Sequence, residues 1–524
     1  MQRVLTVCPH CSCGCGLYLL VDRGEVVGVM PSAGHPVSRG SLCLKGWTSF
    51  QHLRRSERLE SPHIRKNGEL EAVSWDLALS RVIEGLQGVR ETHGGQAVGF
   101  WASGRTTNEE LSLLDRIATE GFETQAVWLD PCLHTMDHVP GSLLEGPRAA
   151  RFDEIPAADL LVIFGQNLHE HHPQVASRIL RAMDQGKRGA VVSLRRDLLA
   201  GRAILHLQTP APEEVAASLA DGTGAEPTPF RALLMEAARP LLIYPLKSLP
   251  LLREIQLLQA VERLLRRFPA KVLLLFPRAN SRGAFHRRKG RGLSDMRGLK
   301  ALMVLEENPA GWEDGFRDLV PELELLVLQD LFLTETAALA HVVLPSASFA
   351  EKGGTLLNTE GRAQGLQPAV PPPGDARPGW AILAELARRL GISDVGSTLE
   401  EIQRGMRLEQ VGAAPVPTRP GPVSRAASDP PRFQHIPDRL GYLWLSDTLL
   451  RHTDDWQREH QDRWIEVHPE DAKELGLRPG WVVHVAGEGC DFTATVRISD
   501  AVGRGILCSP HALVEGRVSL DRAA

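Results

Sequence analysis

The chain has 524 residues, of which 43% are hydrophobic and 23% charged, and a net charge of −5. That length and apolar share suit several packed domains rather than one, and the slightly acidic balance offers no electrostatic footprint for nucleic acid. No apolar run approaches the roughly 20 residues that a membrane span needs, the opening MQRVLTVCPH lacks a charged-then-apolar export segment, and Arg54-Arg55 lies too deep for a twin-arginine signal, so a cytoplasmic protein is expected.

The first element is a cysteine box. CPHCSCGCG carries Cys8, Cys11, Cys13 and Cys15, and GSLCLKGW adds Cys43 after 27 intervening residues. In a reducing compartment, clustered cysteines read as metal ligands rather than disulfide partners. The spacing Cys8-x2-Cys11-x3-Cys15…Cys43 offers four thiolates, the number that a [4Fe–4S] cluster takes at one per iron. Small residues between them let the backbone wrap closely and aim N–H groups at the sulfurs. A structural zinc site also takes four cysteines, but zinc knuckles use two separated Cys-x2-Cys pairs and the second pair is absent. Cys13 is left as a spare thiol or an alternative ligand, and Cys490 and Cys508 read as core cysteines. Lys45 alone would be a surface residue; beside an anionic cluster it could carry charge toward a second cofactor.

From about Val73 to about Leu390, short apolar runs alternate with amphipathic stretches. AVGFWA, DLLVIFG, GAVVSL, PLLIYP, KVLLLF, LKALMVL, LELLVLQD and HVVLP read as strands. In SWDLALSRVIEGL, Trp75, Leu79, Val82, Ile83 and Leu86 share one helical face, with Ser74 placed to cap the start. Continuously apolar strands alternating with helices predict doubly wound α/β units with parallel sheets, two of them by the strand count. A proline-rich stretch, residues 411–433, predicts an extended linker. Beyond it, one short helix (PEDAKELG) among β runs with Gly and Pro turns predicts a small β-barrel.

Polar residues stand at several predicted strand ends. Asn167 follows DLLVIFG, Glu307-Asn308-Pro309 ends a second strand, and Gln329 and Asp330 end a third, with Thr334, Glu335 and Thr336 beyond. Open α/β sheets bind ligands at such ends, although any one of these alone reads as an ordinary turn or cap.

These pieces resemble one family in order along the chain. CPHCSCGCGLYLLVDRGEVVGVMPSAGHPVSRGSLCLKG resembles the N-terminal cluster domain of the molybdenum or tungsten bis-pterin oxidoreductases, which include formate dehydrogenases, nitrate reductases and the large electron-transfer subunit of complex I. GRTTNEELSLLDRIA resembles the family's T-N-E-E helix start. FGQNLHEHHPQ resembles its G-x-N-P turn with Leu168 at the proline, and LMVLEENPAG its G-E-N-P turn. The block LVLQDLFLTETAALAHVVLPSASFAEKGGTLLNTEGRAQ resembles the family nearly throughout. The resemblance implies a [4Fe–4S] domain over 1–55, an α/β pterin domain over 56–135 and 286–405, and a second α/β domain over 136–285. A linker over 406–435 and a double-psi-type barrel over 436–524 complete it. It further implies pterin-dinucleotide contacts from Thr107, Asn108, Glu109, Asn167, Glu307, Asn308, Thr334, Glu335, Thr336 and Asn358, and electron transfer past Lys45.

The pattern breaks at the metal. Formate dehydrogenases of the family show D-x-C-A-R-L-[CU]-H-x-P, whereas this chain has WLDPCLHTMDHVPGSLL. Asp130, Cys132 and Pro140 fit. Ungapped, Met136 stands at the ligand; with one inserted residue, Asp137 does, and His138 takes the histidine position. Cys132 is a third candidate ligand, and the expected arginine is absent in either register. The resemblance implies a molybdenum or tungsten bis(molybdopterin guanine dinucleotide) and one [4Fe–4S] cluster. On this reading Asp137 ligates the metal, His138 handles protons, and formate or a similar small molecule is the substrate. A flavin or ferredoxin-like partner subunit would take the electrons. The alternative is a non-catalytic electron-transfer subunit like the complex I homologue.

Overall fold

The computed structural model describes residues 1–129, 139–165, 167–222, 228–285, 296–311, 314–406, 433–437, 447–454, 463–487, 490–510 and 516–522. The chain divides into two compact units, Met1–His134 with Arg278–Gly412 and Ser446–Gln457, and Thr135–Pro277 with Ala413–Leu445 and Arg458–Ala524.

The first unit opens with an antiparallel sheet of Gln2–Val7, Gly16–Asp22 and Glu25–Pro31. Its first pairing ends at Val7↔Gly16, so the cysteine-bearing residues 8–15 are the connection between two strands. A seven-stranded sheet follows, in the order Glu69–Ala72, His63–Lys66, Val342–Pro345, Leu325–Asp330, Ala301–Leu305, Val98–Ala102, Val127–Leu129. The last five run parallel, and Val98–Ala102, Ala301–Leu305 and Leu325–Asp330 are buried at every position, as a sheet covered on both faces requires. The helix Trp75–His93 is capped by Ser74, whose hydroxyl accepts from Leu77 N at 3.3 Å. The edge hairpin His63–Lys66/Glu69–Ala72 was not anticipated. Its signal was Asn67-Gly68, both at positive φ (50° and 90°), the turn that suits two twisted strands.

The second unit contains a five-stranded parallel sheet in the order Leu205–Gln208, Arg188–Ser193, Leu160–Phe164, Pro240–Pro245, Lys271–Leu275. Chain order reverses beside Leu160–Phe164, which makes its C-terminal end a ligand crevice of the doubly wound kind. The unit also holds a closed barrel of Phe433–Pro437, Ile506–Ser509, Trp464–Val467, Cys490–Ile498, Val482–Gly487 and Gly516–Arg522, with a core that includes Ile465, Val485, Val496 and Leu507. Cys508 is fully buried there, packed with Leu194 and Val502. The α/β layers and the barrel are as expected.

Two segments sit in the first unit. Residues 278–285, expected in the second α/β domain, belong to the first unit, because Arg278 pairs with Asp447 and Asn280 N donates to Gly104 O at 2.7 Å. The helix Thr448–Arg451, expected with the barrel, also belongs to the first unit, where Arg451 binds Glu335. The proline-rich linker lies largely outside the described residues.

Candidate active site

The cysteine loop is built by close backbone turns. Cys8 N donates to Cys15 O at 2.9 Å and Gly14 N to Cys11 O at 3.3 Å. Gly14 has φ +68°, and a Cβ there would come within 2.0 Å of Gln364 Oε1, so only glycine fits. The hairpin Gly354–Leu357/Ala363–Leu366 grips the loop from outside. Asn358 Nδ2 donates to Cys13 O at 3.1 Å, Gln364 Nε2 to Gly14 O at 2.8 Å, and Thr359 N to Ser12 O at 2.8 Å. Of the residues expected at the pterin, Asn358 therefore acts on the cysteine loop itself.

Cys8, Cys11, Cys13 and Cys15 are buried, Cys43 is half-buried, and Lys45 is buried beside them. Burial pushes the Cys8 and Cys43 thiols up, reinforced by the neighbouring thiolates, while Lys45 pulls both down. Cys11 moves the other way, to about 6, because Cys13 hydrogen-bonds to its sulfur and Lys45 lies close. Cys13 moves up, because its hydrogen bond to the Cys11 sulfur and its own burial favour the protonated thiol. Mutually repelling sulfurs around a buried cation fit a thiolate-held anionic cluster. Among the described residues, no group of three or more His, Cys, Asp or Glu side chains stands ready to hold a single metal ion; a cubane differs in taking one thiolate per iron around a larger body.

Beyond the loop lies a buried charge network that the sequence did not reveal. His10 is 1% exposed, neither ring nitrogen has a hydrogen-bond partner, and burial holds it down to about 3, in the field of Asp447, Lys45, Arg105 and Arg278. Asp447 pairs with both Arg105 and Arg278 and caps the helix Thr448–Arg451 through Leu449 N (3.0 Å) and Leu450 N (3.1 Å). Burial opposes its charge, yet the two guanidiniums hold its carboxyl far below the usual range. Lys352 Nζ binds Glu110 (2.8 Å) and Glu306 (2.5 Å).

A cleft joins these parts, bordered by Pro9 of the cysteine loop, by Arg105, Glu306, Asp330 and Lys352 near the strand ends, and by apolar walls including Phe349. Asp330 accepts from Leu331 N at 2.7 Å through Oδ1, but Oδ2 has no partner. Burial, with Glu306 nearby, pushes this carboxyl up to about 8. Thr106 Oγ1, Glu307 Oε2 and Gln329 Oε1 are likewise buried without partners. Buried polar atoms normally find partners, and four orphans at the C-terminal ends of adjacent parallel strands are what a polar cofactor would satisfy.

The other expected residues divide by role. Thr107 closes a capping box with Glu110, and Asn108 donates to Thr355 Oγ1 at 3.1 Å and accepts from Asn280 at 3.1 Å. Glu109 accepts from Thr355 N at 2.7 Å. Asn308 accepts from Thr336 N (3.0 Å) and Oγ1 (2.9 Å) and donates to Glu335 at 2.6 Å. Glu335 is drawn down to about 2 by Arg451 and Asn308 against the effect of burial. Thr334 Oγ1 accepts from Ala337 N at 3.4 Å. In the second unit, Asn167 sits at the sheet's crevice with φ +54°, where its Oδ1 accepts from Arg195 at 2.8 Å and Arg195 also binds Glu466 at 2.6 Å. Asp130, Cys132, Met136, Asp137 and His138 lie outside the described residues.

Three sequence profiles match this chain. The molybdopterin oxidoreductase profile covers residues 58–223 and 282–389, its Fe4S4 domain residues 1–55, and the molybdopterin dinucleotide-binding domain residues 441–521. The chain belongs to the molybdopterin oxidoreductase family. A formate dehydrogenase subunit alpha of Methanocaldococcus jannaschii is 26% identical over 98% of this chain and 95% of its own length. That alignment runs to 645 positions, more than this chain's 524 residues, so the relative carries segments that this chain lacks. A putative formate dehydrogenase of Staphylococcus aureus is 25% identical over 96% of this chain and 64% of its own length. Acetylene hydratase from Pelobacter acetylenicus has the same fold, with TM-score 0.77 at 15% identity over 97% of this chain and 92% of its own. The family's cofactors are the [4Fe–4S] cluster and the molybdenum or tungsten bis(molybdopterin guanine dinucleotide) expected from the sequence. No helix among the described residues is long and apolar enough to cross a membrane.

Proposed function

We propose that this chain is the formate dehydrogenase-like subunit of a multi-subunit oxidoreductase, removing two electrons from formate or a similar small molecule. The observation that carries the reading is the cleft that runs from Pro9, next to Cys8, to Asp330, whose Oδ2 has no partner. Cys8, Cys11, Cys15 and Cys43 would hold the cluster. Asp330, Thr106, Glu307 and Gln329 would bind pterin polar groups, and Asn167 a nucleotide end. The bound metal and its dithiolenes supply the two-electron reactivity, and the protein positions, desolvates and moves protons. Asp330, its carboxyl pushed up to about 8 by burial, would donate a hydrogen bond to such a pterin group where an ordinary aspartate would only accept. Lys45 provides a fixed positive charge that favours an added electron on an anionic cluster. Asp137 would ligate the metal and His138 would accept the substrate proton. Electrons would leave through the cluster to a partner subunit.

The test is metal analysis of protein purified without oxygen, together with formate-dependent reduction of benzyl viologen. About one molybdenum or tungsten per chain with formate-dependent turnover supports the enzyme. Iron without either metal supports an electron-transfer subunit like that of complex I, the reading that the altered 128–144 stretch favours.

A further inference from the structure

His52 is fully buried on the short turn Gln51–Arg54, and its ring meets the wall of the cleft. Its Nε2 lies 2.7 Å from Ser348 Oγ, and its ring tilts against Phe349 with centroids 5.9 Å apart. Ser348 and Phe349 both border the cleft. The other ring nitrogen, Nδ1, is buried without a hydrogen-bond partner. A side chain kept only for packing would be apolar here, because a buried polar atom without a partner costs stability. The serine is fixed from its own side. Ser348 N donates to Glu351 Oε2 at 2.7 Å, and Arg58 grips Glu351 through bonds of 2.9 and 2.7 Å.

The same wall carries a second proton-bearing group. Ser348 follows the strand Val342–Pro345, in which Pro345 pairs with Asp330, and Ser346 N donates to Asp330 O at 3.0 Å. The Ser348 hydroxyl and the Asp330 carboxyl therefore border one cleft from adjacent strand ends. Two residues past Asp330, the Phe332 ring stacks on His452 with centroids 3.6 Å apart, and His452 is partly exposed. Burial, then Arg58, His10, His452 and Arg105, hold the His52 ring well below the ordinary imidazole range. A neutral imidazole presents one N–H and one bare nitrogen. It can take a proton on one nitrogen while it releases another from the opposite one, and so pass protons without storing charge.

We infer that Ser348 and His52 form a proton relay that leads from the cleft toward His452 and solvent. The inference rests on the proposed substrate oxidation. Formate gives carbon dioxide, one proton and two electrons; the electrons leave through the cluster to the acceptor, and the proton needs its own way out of a buried cleft. One proton moves per turnover. The Ser348 hydroxyl takes it while passing its own to His52 Nε2, and Nδ1 releases one outward. The ring then exchanges tautomers before the next turnover, and no oxidation state changes within the relay. His52 acts through Ser348 and is a positioning and relay residue.

The test uses the full-length holoprotein with His52→Gln, which keeps a hydrogen bond to Ser348 but cannot exchange tautomers, and with His52→Ala and Ser348→Ala. Two rates are measured: formate-dependent reduction of benzyl viologen, and substrate-free proton uptake after flash photoreduction, followed with a pH-indicator dye. Expected are a fall of at least about tenfold in kcat and in proton uptake in each variant, with KM held within about twofold and iron and molybdenum or tungsten contents unchanged. Added imidazole should restore His52→Ala and leave His52→Gln and Ser348→Ala slow. Proton uptake at the wild-type rate in both His52→Gln and Ser348→Ala overturns the inference. So does a fall that follows lost metal, a His52→Ala defect that imidazole leaves in place, or a wild type that takes up no proton on reduction. Should His52→Ala not fold, the other two variants decide by proton uptake. A wild type without formate turnover, but with proton uptake that slows in His52→Gln, would overturn the formate reading and leave the relay standing.

Discussion

The side-chain amide of Asn358 donates to the main-chain carbonyl of Cys13 across 3.1 Å, joining residues 345 apart in sequence. The same Asn358 accepts from Glu360 N (3.0 Å) and Arg362 N (2.9 Å). One buried side chain thereby fixes both the hairpin tip and the loop that would hold the cluster.

Asn358→Ala removes those three bonds and leaves the buried Cys13 carbonyl unsatisfied, a cost of about 1–3 kcal/mol where water cannot replace the partner. Iron bound per chain should fall markedly, with secondary structure retained. Gly14→Ala should do the same through steric conflict with Gln364. Iron quantification and circular dichroism check both, and full iron retention in both variants would dismiss the hairpin clamp.

Asp447→Asn leaves Arg105 and Arg278 buried without their shared anion, which is expected to destabilise the first unit by about 3–5 kcal/mol. The native carboxyl is depressed below its ordinary 3.8. Its contribution is therefore present above that value and is lost as pH falls toward the native pKa. The variant should unfold at lower urea than the wild type at pH 7, with the gap narrowing in acid. A constant gap at all pH values would remove the electrostatic explanation.

Asp330 shows the opposite sign. Its native pKa is raised to about 8 from 3.8, so the unfolded chain releases the proton first and this residue lowers stability as pH climbs between the two values. Asp330→Asn cannot ionise and should gain stability relative to the wild type from pH 5 to pH 8. In infrared difference spectra the protonated carboxyl band, absent from the variant, should persist at pH 7 and vanish above about pH 8. A band already gone at pH 6 would show an ordinary ionised aspartate.

Lys352→Met leaves Glu110 and Glu306 facing one another in the interior. A loss of about 3–5 kcal/mol is expected, partly relieved in Lys352→Met/Glu306→Gln because one carboxylate is then neutral. Additive effects in that double-mutant cycle would show that the pair is not coupled.

What could be read from the sequence was what depends on local pattern. Runs such as ALMVL and LLVLQ are apolar throughout because both faces of the sheet are covered, and Ser74 marks a helix start in any context. The spacing of Cys8, Cys11 and Cys15 is legible because a loop of that length can bring three thiols together. Residues that depend on distant partners were not legible. Arg105, Arg278 and Asp447 are ordinary charged residues in sequence and become one network only because the strand end after Ala102, the start of residues 278–285 and the cap of Thr448–Arg451 converge. His10 stood in the cysteine box unremarked, and Asn67-Gly68 announced a hairpin that the α/β reading passed over.

The central claim is that Cys8, Cys11, Cys15 and Cys43 hold a redox-active [4Fe–4S] cluster. The most direct measurement is the low-temperature electron paramagnetic resonance spectrum of the anaerobically purified chain after dithionite reduction, with Cys15→Ala alongside. A cubane signal in the wild type, integrating to about one spin per chain and lost in the variant, is predicted. A spectrum without signal from a protein that carries zinc would contradict the account.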